Sequence, residues 1–180
     1  FGPAVCKLAA ALETRFLRER VVLTSSGHTA LMAAIATAPG SPRCWAIPAY
    51  TFESTRLALQ GYEISYVDVD ATGCLSVDAL RRVDFDGVII VYPLSTVPDV
   101  DAIADVARGR PIVIDAAPAL GTAPSRFPMC VSLHATKLLA IGEGGAVGGL
   151  DQDRAEAVAR YVNFGLSGDE SSGFGTNAKL

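Results

Sequence analysis

Short, almost wholly apolar runs alternate along this chain with stretches in which apolar residues return every third or fourth position. The runs are Val21 to Thr24, Cys44 to Ile47, Ile64 to Val69, Val88 to Tyr92, Ile112 to Ile114, Cys130 to Leu133 and Ala146 to Gly149. Each has the length of a strand, and most lack polar alternation, which predicts a sheet buried on both faces. The periodic stretches predict helices over Cys6 to Arg20, Gly27 to Thr37, Thr51 to Gln60, Val77 to Arg82, Val100 to Arg108 and Asp153 to Phe164. In the first of these Leu8, Leu12 and Phe16 share one face. Pro39-Gly40 and Gly61 end the second and third, and Gly165 to Gly175 reads as loop.

Strand and helix in alternation predict an α/β fold with a mostly parallel, seven-stranded sheet covered by helices. Ligands of such folds sit outside the carboxyl ends of the strands. Three polar segments fall there: Ser25-Ser26-Gly27, Asp115, and Ser132 to Lys137.

Composition narrows the function. Half of the 180 residues are hydrophobic, so the chain can bury a real core rather than remain disordered. The net charge is −4 and the basic residues are scattered, which argues against nucleic acid as the main partner. No apolar run is long enough to span a bilayer, and no secretory signal opens the chain at Phe1. The four cysteines lie far apart without C-x-x-C spacing, and with only His28 and His134 beside them no metal site is expected. Free thiols in a reducing cytoplasm are the expectation.

Three constellations carry candidate chemistry, and Lys137 joins them. A lysine beside a buried strand loses its proton more readily because desolvation disfavours the ammonium. A neutral amine is the nucleophile that forms Schiff bases with carbonyl compounds, whereas most lysines beside strands are solvated charges. The segment Thr24 to Leu31, with small residues between a strand and a helix, suits either a phosphate on free N–H groups or an ordinary helix cap. Asp115 ends an apolar strand, where a carboxylate needs a charged or hydrogen-bonding partner. A protonated pyridine nitrogen or a helix N-terminus would serve. The aromatics of Pro48-Ala49-Tyr50-Thr51-Phe52 suit either stacking on a flat ring or core packing.

The order of these segments resembles the DegT/DnrJ/EryC1/StrS sugar aminotransferases, pyridoxal-phosphate enzymes of fold type I. Ser26-Gly27-His28-Thr29-Ala30-Leu31 is similar to the family's S-G-T-x-A-L, and Pro48 to Phe52 to its P-x-x-T-F. Tyr66-Val67-Asp68-Val69-Asp70 resembles V-F-V-D-V-D, and Asp115-Ala116-Ala117 matches D-A-A. Ser132 to Lys137 with Gly142-Glu143-Gly144-Gly145 resembles S-F-H-A-T-K followed by G-E-G-G. Asn163-Phe164-Gly165 and Gly175 to Leu180 resemble R-N-x-G and G-x-N-x-K-M.

The resemblance implies that Lys137 binds pyridoxal 5'-phosphate as a Schiff base and shuttles the proton between substrate and cofactor. Asp115 would pair with the pyridine nitrogen and Phe52 would stack on the ring. The Gly27 loop, with the N–H groups of His28 and Thr29 and the Ser132 hydroxyl, would bind the phosphate. Asn177 would reach the phosphate of a neighbouring subunit, which implies a homodimer with shared sites. The implied reaction moves an amino group from an amino acid, glutamate foremost, to a nucleotide-linked keto sugar. A dehydratase of the same family and a non-catalytic dimerising remnant are the alternatives. Residues 1–180 would form the large, cofactor-binding domain and stop before the smaller C-terminal one. The family usually has Gln or His where Pro118 stands, and many members read H-L-Y-G at Tyr92-Pro93-Leu94-Ser95. His28 replaces a Thr of the family pattern.

Overall fold

The computed structural model describes residues 2–14, 19–119, 126–167, 170–171 and 175–176. One seven-stranded sheet organises the chain, in the order β1-β7-β6-β5-β4-β2-β3. Its strands are β1 (Arg20–Thr24), β2 (Cys44–Pro48), β3 (Glu63–Val67), β4 (Gly87–Val91), β5 (Ile112–Asp115), β6 (Met129–Ser132) and β7 (Gly145–Leu150). The pairings from β3 through to β6 are parallel, while β7 runs antiparallel to both β6 and β1.

The apolar runs are continuous because successive side chains serve opposite cores. Val88 and Ile90 of β4 join Ile112 and Ile114 of β5 in one cluster, with Leu80 of α4 (Val77–Leu80) and Ile103 of α5 (Val100–Ala107). Leu12 of α1 (Pro3–Leu12) belongs to the same cluster. Ile89 and Val113 point the other way, to Leu31 and Ile35 of α2 (Gly27–Ala36) and to Val158 of α6 (Gln152–Val162). Trp45 lies fully buried on that second face, where a Cβ at Gly87 would come within 2.8 Å of its ring.

The expected seven strands and their mostly parallel arrangement are all present, and the differences sit at element ends. Helix α1 begins at Pro3, whose fixed φ suits a first turn and whose missing N–H is not needed there. Its α-helical turns run to Leu12 and pass into a π turn at Glu13 and Thr14, and residues 15–18 of the predicted Cys6 to Arg20 helix lie outside the described residues. Glu13 Oε1 accepts from the Val21 N–H at 3.0 Å. Helix α3 (Glu53–Leu57) is shorter than the predicted Thr51 to Gln60, since Phe52 is extended at φ −75°, ψ 147° and serves as the N-cap. Where loop was predicted after Gly165, β8 (Leu166–Ser167) and β9 (Glu170–Ser171) pair as a two-residue hairpin. Strands that short show no alternation to read.

The parallel strands β2, β4, β5 and β6 all end at the same sheet edge, and the polar segments after them converge there. A close approach occurs at Gly145, where β7 begins: a Cβ there would lie 2.3 Å from the Ser26 carbonyl oxygen. Gly145→Ala should therefore displace backbone against backbone and destabilise the fold by about 3 kcal/mol or more. Urea denaturation checks this, and an unchanged midpoint would show that the β7–α2 contact yields easily.

Candidate active site

Helix α2 starts at this edge with a closed cap. Ser26 Oγ accepts from the Thr29 N–H at 3.1 Å, while the Ser26 N–H donates to Thr29 Oγ1 at 3.0 Å. This reciprocal pair occupies Thr29, whose Oγ1 also meets Ser25 Oγ at 3.2 Å. Among the described residues, the N–H groups of Gly27 and His28 receive no acceptor, so they carry the positive end of the helix. Gly27 packs directly on β6, since a Cβ there would fall 2.9 Å from Ser132 Cβ. His28 Nδ1 lies 3.2 Å from the Ser54 carbonyl oxygen and 3.1 Å from its Oγ. A carbonyl only accepts, so this contact needs the proton on Nδ1.

Asp115 closes β5 and is only 5% exposed. Thr55 Oγ1 donates to its Oδ2 at 2.6 Å and the Ala117 N–H to its Oδ1 at 3.1 Å. Burial pushes the carboxyl above its ordinary range, opposed by those two hydrogen bonds and by the charge of Lys137.

Lys137 sits in the turn after β6, half-buried, its N–H donating to the His134 carbonyl at 2.8 Å. Its Nζ stands 5.9 Å from the centre of the Phe52 ring, which is itself 76% exposed. The same turn is braced across its mouth by His134 and Glu143. The Thr136 N–H donates to His134 Nδ1 at 3.1 Å, so Nε2 bears the proton and faces Glu143 Oε1 at 3.3 Å.

These groups surround one cleft of about 600 Å³, lined by Gly27, His28, Phe52, Asp115, Ser132 and Lys137 together with Pro118 and Leu94. Of the residues singled out in the sequence, Thr29 stands behind the cleft in the cap, and Asn177 lies outside the described residues. Pro118 gives only its carbonyl, which accepts from Ser95 Oγ at 2.9 Å. Leu94 and Ser95 hold positive φ (48° and 67°), a strained turn of a kind found at functional sites. Sequence reasoning missed Thr55. Its one signal was a position four after Thr51, on the inward side of a helix start. No group of His, Cys, Asp and Glu among the described residues could hold a metal ion.

The model of the DegT/DnrJ/EryC1/StrS aminotransferase family matches residues 1–180. The chain belongs to that family. Protein Rv3402c of Mycobacterium tuberculosis is 31% identical over 206 residues, covering all of this chain and 50% of that protein. The sugar aminotransferase CalS13 from Micromonospora echinospora superposes with a TM-score of 0.88 at 26% identity, over 99% of this chain and 57% of CalS13. NtdA from Bacillus subtilis, solved with bound cofactor PMP, shares the fold with a TM-score of 0.89 at 21% identity, over 100% of this chain and 45% of that one. The chain spans about half the length of the curated relatives it matches.

Within this family member, Ser26 is the residue that caps the N-terminus of α2. Ser26→Ala removes the acceptor for the Thr29 N–H and should cost about 1 kcal/mol of stability. Chemical denaturation measures it; a wild-type midpoint would mean that the cap is dispensable.

Proposed function

We propose that this protein works as a pyridoxal-5'-phosphate-dependent aminotransferase that carries an amino group from an amino acid, glutamate foremost, to a nucleotide-linked keto sugar. The observation that carries the reading is the convergence of Lys137 and a buried Asp115 on one cleft beside an exposed aromatic and a helix N-terminus.

The residues present fit that cofactor. A buried carboxylate held only by a hydroxyl and an N–H, with a lysine as its cationic neighbour, accommodates a cationic ring nitrogen. The N–H groups of Gly27 and His28, with Ser132 Oγ packed against Gly27, make a cradle for a phosphate. Thr29 builds that cradle through the cap rather than lending its N–H. Phe52 offers an uncovered ring face. When bound, pyridoxal 5'-phosphate supplies an aldehyde that exchanges amines and a ring that stores the electron pair released at a substrate carbon.

The chain's own groups then divide the work. Lys137 Nζ would hold the cofactor covalently and would serve as the base that takes a proton from the substrate carbon and returns it. Asp115 would pair with the ring nitrogen, Phe52 would stack on the ring, and the α2 cradle would hold the phosphate. On this reading residues 1–180 are the cofactor-binding domain of a larger enzyme. A second copy would complete the site, a reading supported by the exposed apolar side chains of Phe52 and Leu94 in the cleft lining and of Leu138 next to Lys137 in the chain, each at least 73% exposed. The free state of all four cysteines supports a reducing cytoplasmic setting. No helix among the described residues is long and apolar enough to cross a membrane.

The full chain should turn yellow with added pyridoxal 5'-phosphate and bleach with glutamate. Lys137→Ala should lower single-turnover amine transfer by on the order of 10²–10⁴-fold, with the colour of covalent attachment lost. Asp115→Asn should keep that attachment and still lose most of the transfer rate. A wild-type protein that takes up no cofactor overturns the reading. Water loss from the keto sugar without amination would assign a dehydratase instead.

A further inference from the structure

Two hydroxyls stand behind the Asp115 carboxylate in single file. Thr51 Oγ1 donates to Thr55 Oγ1 over 3.0 Å, and Thr55 Oγ1 donates to Asp115 Oδ2 over 2.6 Å. Thr55 is completely buried, while Thr51 lines the cleft. A hydroxyl has one proton to donate, so the file has a direction, from the cleft wall inward to the carboxylate. The second carboxylate oxygen takes the Ala117 N–H. With one donor on each oxygen the plane of the carboxylate is held, and each oxygen keeps a lone pair for a group in the cleft. The 2.6 Å separation is that of a charge-assisted hydrogen bond to an ionised acceptor.

The same turn of α3 links this file to the aromatic wall. The Thr55 N–H donates to the Phe52 carbonyl at 3.0 Å, so one turn carries both the exposed ring and the hydroxyl that grips Asp115. We propose that Thr55, backed by Thr51, is a positioning residue that holds Asp115 as a hydrogen-bond acceptor turned toward the cleft. The proposal deepens the reading of Asp115 as the partner of the cofactor's ring nitrogen and rests on it for its purpose. A protonated Asp115 would present a donor to a ring N–H that needs an acceptor, and the donor file opposes that state.

Two other titratable groups act on Asp115 among the described residues. Lys137, from the turn after β6, favours the carboxylate. Cys130, on the neighbouring strand, is a thiol that burial and Asp115 push well above its ordinary range, so it stays neutral. Burial raises the folded-state pKa of Asp115 above its unfolded value. Between those two values the folded chain holds the extra proton, and stability falls as pH rises. Removing the Thr55 donor pushes the folded value further up. The added loss is then full at neutral pH and closes as pH falls through the window.

The test compares Thr55→Val, which keeps the shape without the donor, with Thr55→Ser, which keeps the donor, and with Thr51→Val, in the full chain. Without cofactor, Thr55→Val should raise the unfolding equilibrium constant ~10-fold more at neutral pH than at pH ~4. Thr55→Ser should show no such pH dependence, and Thr51→Val a smaller one of the same sign. Titrated with pyridoxal 5'-phosphate, Thr55→Val should bind ~10-fold more weakly and Thr55→Ser within ~2-fold of wild type. A Thr55→Val deficit equal at every pH and shared by Thr55→Ser would make Thr55 a structural strut and overturn the proposal, as would wild-type behaviour in both assays. If the wild type binds no cofactor while the pH-dependent deficit remains, Thr55's hold on Asp115 stands and the cofactor reading falls.

Discussion

A carboxylate at the buried end of a central strand is the constraint around which this cleft is built. Asp115 lies between β4 and β6, with almost no surface of its own. An ionised group there is tolerated only if donors surround it. Two elements far apart in sequence supply them: Ala117 from the loop just after β5, and Thr55 from the first turn of α3. The placement of α3, and with it the ring of Phe52, is tied to the electrostatics of one oxygen atom.

Parallel pairing sends the other chemistry to the same edge. Strands β2, β4, β5 and β6 run in one direction, so the segment after each of them emerges at one side of the sheet. The antiparallel β7 then brings Gly145 back to this edge, close enough to Ser26 to exclude any side chain. The Lys137 turn lies between these two constraints, and the His134–Glu143 pair spans it. Helix α2 also meets β6 closely at Gly27, where a Cβ would fall 2.9 Å from Ser132 Cβ, which sets its free N–H groups in the cleft wall beside Ser132.

Much of this was legible in advance because it depends on short-range pattern. Seven apolar runs became seven strands, since a strand buried on both faces has no polar positions to hide. Lys137, Asp115, Gly27 and Ser132 could be singled out because each departs from its surroundings: a charge after an apolar run, a hydroxyl within one, or a small residue where a helix begins. Thr55 could not, because its partner is 60 residues away. A threonine in a helical turn looks the same in sequence whether it meets water or a buried carboxylate. Thr29 shows the converse. In sequence its loop suited either a phosphate site or a helix cap, and only the three-dimensional structure reveals the cap in which its N–H is engaged by Ser26.

What the sequence determined by itself is the list of elements and the identity of the candidate groups, because hydrophobic period and residue chemistry are local. The order of strands, the convergence of Lys137 and Asp115 on one cleft, and the donors on each carboxylate oxygen were decided by tertiary structure. Those depend on which strand lies beside which, and on contacts a few ångströms long between residues dozens of positions apart. Sequence spacing does not encode such distances; packing of the sheet against its two helical layers does.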